Sequence, residues 1–145
     1  GFRLIIDFAH SPDSLEKLLE TYRPFTKGKL ILVFGCPGER DREKRPIMGQ
    51  IAAKLADQVI VTTDDPHGED PAAIIDEIMK GITHIASLIS HIVDRKEAIE
   101  KALKSARAGD IVLIAGRGHE QSQDFAGRKV MFDDKEVAKE ICSNL

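Results

Sequence analysis

Cysteine is scarce: the 145 residues include only Cys36 and Cys142. They lie far apart and have no C-x-x-C spacing, so they form neither a zinc ribbon nor a disulfide scaffold. They read as free, partly buried thiols of a reducing compartment. Long apolar runs are also missing. No stretch approaches the roughly 20 residues that a membrane helix needs, and no leader-like segment precedes the first apolar run. A cytoplasmic location without a membrane partner is the expectation. Positive charge is not in excess: 21 Lys and Arg stand against 24 Asp and Glu, a net charge of −3. Bulk charge therefore gives no support to nucleic-acid binding. Familiar catalytic signatures are lacking too. "GCPGERDREK" has no G-K-[ST] ending and is not a Walker A loop. "GRGHE" lacks the third glycine of G-x-G-x-x-G. There is no G-x-S-x-G elbow and no His/Cys set with metal-ligand spacing.

What the chain does have is a 42 % hydrophobic content, enough for a core of one domain. It is arranged as short apolar runs alternating with helix-period segments. Strands are expected at 2–8, 29–34, 58–63, 91–93 and 110–115. Helices are expected behind Ser11-Pro12, near Pro46, behind Asp70-Pro71, and behind the possible capping boxes Asp94/Glu97 and Asp133/Glu136. Residues 81–90 read as loop or a short extra turn. The strands are continuous apolar runs, not in-out alternations, which marks a mostly parallel sheet covered on both faces. The fold class is a three-layer, Rossmann-like α/β domain spanning 1–145. A hairpin in "SQDFAGRKVMF", closed near Ala126-Gly127, is expected as an antiparallel edge.

In such sheets ligands bind beyond the carboxyl ends of the strands. The segments leaving strands one, two, three and five are "DFAHSPD", "GCPGERDREKR", "DDPHGED" and "GRGHEQSQ". They hold His10, His67, His119 and seven consecutive charged residues, Glu39–Arg45. One shared edge is the predicted site. His84 and His91 fall outside this set and read as ordinary surface or packing residues.

"DFAHSPDSLEKLL", "VFGCPGERDREKRPIMGQIAAKLAD", "VTTDDPHGEDPAAIIDEI" and "DIVLIAGRGHE" resemble, in order and spacing, the C-terminal domain of Mur ligases of the MurE type. The resemblance runs from about residue 4 to residue 140. It implies the third domain of a three-domain ligase whose central ATPase domain carries the phosphate-binding loop and holds most of the ATP and Mg²⁺. That enzyme would join an amino acid to a UDP-N-acetylmuramoyl-dipeptide through an acyl phosphate, in peptidoglycan synthesis. This domain alone would hold no catalytic residue and no metal, and would be inactive. By residue, the resemblance implies ATP contacts at Asp7 and His10. It implies amino-acid contacts at Arg40, at Asp64, Asp65, Pro66 and His67 of a specificity loop, and at Gly116 and Glu120. Where diaminopimelate-adding enzymes typically read Asp-Asn-Pro-Arg, this chain reads Asp64-Asp65-Pro66-His67. Those two changes suggest an amino acid with a distal ammonium and no distal carboxylate, such as L-lysine. A receiver-like regulatory module is the alternative, with Asp7, Asp64 and Asp65 around Mg²⁺. A free-standing transferase or hydrolase would need a nucleophile–base pair, and none is apparent.

Overall fold

The computed structural model describes residues 1–83 and 88–145. Five parallel strands, β1 (Arg3–Asp7), β2 (Leu30–Phe34), β3 (Gln58–Val61), β4 (Leu88–His91) and β5 (Ile111–Ala115), form one sheet in the order β1-β5-β2-β3-β4. Between and after them run α1 (Pro12–Tyr22), α2 (Lys44–Leu55), α3 (Pro71–Met79), α4 (Arg95–Ser105) and α5 (Asp134–Ser143). The all-buried β2 and β5 show why the runs are uninterrupted: both faces are covered. Leu30, Leu32 and Phe34 pack with Leu15, Leu19, Met48 and Ile75 under α1–α3. Ile31 and Val33, on the other face, pack with Ile99, Leu103 and Ile141 of α4 and α5. Two layers of helix thus sandwich the sheet, as continuous apolar strands require.

Four of the helices start on a capping side chain, whereas α2 has none at its N-cap, Glu43. Ser11 caps α1 and its partner in the reciprocal box is Ser14, with Pro12 in the first turn. Asp70 accepts from Ala72 N at 3.1 Å, again before a proline. Asp94 accepts from Glu97 N at 3.1 Å, and Asp133 from Lys135 N and Glu136 N. The acidic caps therefore work, with only their own half of the box in place.

Two expectations shift. The fourth strand is 88–91, not 91–93, and β3 stops at Val61. The cause is a pair of threonines: Thr62 Oγ1 donates to Ile92 O and Thr63 Oγ1 to Val93 O, both at 2.6 Å. Side-chain hydroxyls replace ladder bonds there, so the strands end and their exits are stitched together. The hairpin, β6 (Ser122–Phe125) and β7 (Arg128–Met131), forms as expected around Ala126 and Gly127, whose φ values of 55° and 85° suit a tight two-residue turn. It does not extend the main sheet as an edge. It is a separate two-stranded sheet, held over the strand exits by the polar contacts described below. The segment 81–90 is not all loop or turn, since residues 88–90 belong to β4; residues 84–87, with His84, lie outside the described residues, and His91 ends β4 and is exposed.

Candidate functional site

The β2 exit lies directly on the β3 exit because glycine permits it. A Cβ on Gly35 would stand 2.1 Å from Thr62 O, and one on Gly38 would stand 1.8 Å from Pro66 O. Gly38 N donates to Asp65 O at 2.7 Å. The charged run that follows divides into three behaviours. Arg45, the first-turn residue of α2, is fully buried. It grips both oxygens of Glu69 at 2.9 and 3.0 Å, Glu77 at 3.1 Å and the Pro37 carbonyl at 3.0 Å. Arg42 lies on the surface and pairs with Glu77 at 2.9 Å. Arg40 is exposed, and its guanidinium touches only the Glu39 carbonyl, at 3.1 Å. Among the described residues it has no carboxylate partner. Arg42 and Arg45 thus fasten α2 and its approach to Glu77 of α3, Lys44 donates to the His10 carbonyl at 3.0 Å, and Arg40 remains exposed at the edge.

Glu69 also accepts from Glu39 N, and together with Arg45 this holds its carboxyl down to about 2. The folded state therefore binds the Glu69 proton later than the unfolded chain, whose carboxyl titrates near 4.5. That share of stability is complete above pH 4.5 and is lost as pH falls toward about 2. Denaturant unfolding followed from pH 6 to pH 2 should show the decline, and Glu69→Gln should flatten it. An equally steep decline in Glu69→Gln would remove Glu69 as its source.

The β3 exit carries the loop 64–67. Asp64 is buried, and burial pushes its carboxyl up to about 6 despite the nearby Arg95 and Arg117. Its Oδ2 occupies the space that a Cβ on Gly116 would need, 2.7 Å away, and Gly116 has φ +113°. Glycine is required there on both counts. Asp65 Oδ1 accepts from Arg117 at 2.9 Å and from Asp124 N at 3.1 Å. Glu120 approaches the same Arg117 at 3.8 Å. Its carboxyl is pushed up by burial and by the Asp65 charge. His67, at φ +51°, places Nδ1 3.1 Å from Asp124 Oδ2 and bridges to Phe125 of the hairpin. Pro66 O accepts from Glu69 N.

Asp7 ends β1, and its Oδ1 accepts from Ala9 N at 2.8 Å. His10 Nδ1 lies 2.8 Å from Phe8 O. A carbonyl only accepts, so Nδ1 carries the hydrogen, and the neutral ring's Nε2 is an acceptor. Donation from His10 to a phosphate oxygen would need the imidazolium. Beside it an open cleft of about 560 Å³ is lined by Asp7, Phe8, Gly118, His119 and Lys135, among others. Asp133 and Glu136 complete that lining, so three carboxylates face one ammonium there. Among the described residues no group of three or more His, Cys, Asp or Glu is placed to hold a metal ion. No Mg²⁺ ligands are therefore assigned to this chain.

All four strand exits thus share one edge, and Asp65 and Glu120 meet at one guanidinium there. Sequence reasoning passed over that guanidinium, Arg117, along with Arg45 and Arg95. An arginine inside a charged or glycine-rich segment looks solvated, and only burial marks it otherwise. The thiol of Cys36, buried under Met48, is pushed up to about 12 and is unreactive as a nucleophile. Asp65 is also not the spare negative charge that the loop's letters suggest, because Arg117 already compensates it.

Residues 1–118 match the family described as "Mur ligase, glutamate ligase domain". UDP-N-acetylmuramoyl-L-alanyl-D-glutamate--2,6-diaminopimelate ligase of Clostridium tetani (strain Massachusetts / E88) is 48 % identical over all of the chain and 30 % of its own length. The ligase of the same name from Gloeobacter violaceus (strain ATCC 29082 / PCC 7421) is 54 % identical over 97 % of the chain and 28 % of its own length. A solved structure of a ligase so named superposes with a TM-score of 0.93 at 41 % identity, over 97 % of this chain and 29 % of that one. The chain spans about 30 % of the length of the curated relatives it matches.

Proposed function

This chain belongs to the Mur ligase family, and on that premise we propose that it is the C-terminal, amino-acid-receiving domain of a longer three-domain ligase. The reaction is the joining of diaminopimelate to UDP-N-acetylmuramoyl-L-alanyl-D-glutamate in peptidoglycan synthesis. ATP, bound with Mg²⁺ mainly on a central domain of the same protein, phosphorylates the terminal carboxylate. The amine of the incoming amino acid attacks the acyl phosphate, phosphate leaves with the bonding pair, and the amine's proton passes to solvent or base. The chain's own residues bind and orient. Arg40 offers a planar fork to a carboxylate of the amino acid. Glu120 and the loop 64–67 meet its distal end, with Gly116 beneath them. Asp7 and His10 close on the nucleotide from the β1 exit.

The observation that supports this reading is the convergence of the strand exits on one edge: Gly38 N of the β2 exit bonds Asp65 O of the β3 exit, and Asp65 and Glu120 approach the same Arg117 of the β5 exit. The relatives' names favour diaminopimelate over the L-lysine suggested by the loop's letters. The compensated state of Asp65 removes the electrostatic reason for preferring an amino acid without a distal carboxylate. The receiver-like alternative gains nothing: Asp64 is buried against Arg95 and Arg117, and Asp65 is committed to Arg117.

Phosphate release by the full-length enzyme with ATP, the UDP-linked dipeptide and either amino acid tests the reading. A higher kcat/KM for diaminopimelate than for L-lysine is expected, and the reverse order would overturn the substrate assignment. The isolated domain should not hydrolyse ATP; turnover by the pure fragment would contradict the division of labour.

A further inference from the structure

Arg117 has the burial of a core residue and the contacts of a hub. Its side chain is inaccessible to solvent. One terminal nitrogen donates to Asp65 Oδ1 at 2.9 Å; the other donates to Ser122 O and Phe132 O, both at 2.9 Å. Those carbonyls bracket the hairpin, one at the start of β6 and one just past β7. The contacts continue outward. Asp65 Oδ1 also takes Asp124 N, and Asp124 in turn faces His67 Nδ1. Gln123 Nε2 donates to Asp64 O at 2.6 Å. The loop 64–67 is therefore not positioned by the main sheet alone. It is held between the β3 exit and a hairpin that lies beyond the family-matched residues 1–118; His67 N also donates to Asp124 O at 2.9 Å, and the Arg117 guanidinium is the tie that reaches both ends of the hairpin at once. Arg117 Nε has no hydrogen-bond partner despite full burial. The residue is thus aimed by its terminal fork and not by satisfying every donor.

We infer that Arg117 is a positioning residue for the amino-acid site, setting the loop 64–67 against the β6–β7 hairpin so that Asp65, His67 and Glu120 face the incoming substrate. This rests on the proposed amino-acid site. Two separate terminal nitrogens reach acceptors on the two sides, Asp65 from one and the hairpin carbonyls from the other; a lysine ammonium keeps the charge and three donors but radiates them from a single nitrogen and cannot span both.

The test uses the full-length ligase. Arg117→Lys should raise the KM for the amino acid by ~10-fold or more, as displaced binding groups do. The KM for ATP should stay within about twofold, and the preference for diaminopimelate over L-lysine should shrink. In an Asp65→Ala background the same change should cost less than it does in the wild type, because the Arg117–Asp65 contact is already lost. A fall in Tm with both KM values unchanged, an equal rise in both, or fully additive effects in the cycle would overturn the inference. Should Arg117→Lys not fold, Asp65→Ala alone decides: an amino-acid KM equal to wild type sinks the proposal. KM is read on whichever amino acid the wild type ligates. A wild type that prefers another amino acid therefore refutes the substrate reading and leaves the Arg117 coupling open to measurement.

Discussion

Replacing Arg95 by methionine is expected to destabilise the domain by about 3–5 kcal/mol, the cost of leaving a buried charge without its partner. Arg95 and Asp134 are 2 % and 0 % exposed. The pair is bidentate, with Nε and a terminal nitrogen each 2.8 Å from one carboxylate oxygen. The guanidinium also donates to Thr63 O at 3.0 Å and, more weakly, to Ala115 O at 3.4 Å. One side chain therefore joins the start of α4, the start of α5 and the exits of β3 and β5. Methionine fills most of the volume, but it strands Asp134 in a dry site and frees two carbonyls. Chemical denaturation measures the loss, and a change under about 1 kcal/mol would mean that water reaches the pair. Pairing Arg95→Met with Asp134→Leu should recover much of the loss, since an apolar pair of similar size removes the stranded charge along with its partner. The residues after Thr63 and Ala115 are Asp64 and Gly116, so the single variant should also loosen the proposed amino-acid site.

Arg40→Ala should leave the fold intact and weaken the amino acid. The loop around it is pinned without its side chain, by Gly38 N on Asp65 O and Glu39 N on Glu69. The guanidinium is exposed and lacks a carboxylate partner among the described residues, in contrast to Arg42 and Arg45 in the same run. A cation already paired in the free protein gives little to a ligand; an unpaired one gives the full charge-assisted contact. Loss of that contact should raise the amino-acid KM by about 30- to 1,000-fold, with the ATP KM much less affected. Arg40→Lys should fall between, keeping charge without the fork. An unchanged amino-acid KM in Arg40→Ala would take Arg40 out of the site.

The two variants separate what could be read along the chain from what could not. The apolar runs LILVF and IVLIA, the cap-proline pairs at Ser11 and Asp70, and the turn at Ala126-Gly127 act over a few residues, and each was legible as written. So was the edge on which the site lies, because parallel strands that leave in one direction deliver their exits together. The roles of the arginines were not legible. Arg40, Arg45, Arg95 and Arg117 are the same letter in polar surroundings, yet one is exposed and three are buried, and the carboxylates to which those three hydrogen-bond lie 24 to 52 positions away. The sequence by itself determined that a doubly covered parallel sheet would form and where its loops would gather, since short-range propensity and hydrophobic period decide those. Only the tertiary structure decided which charges pair with one another and which stay exposed, because pairing depends on distance through space and on the water that burial removes.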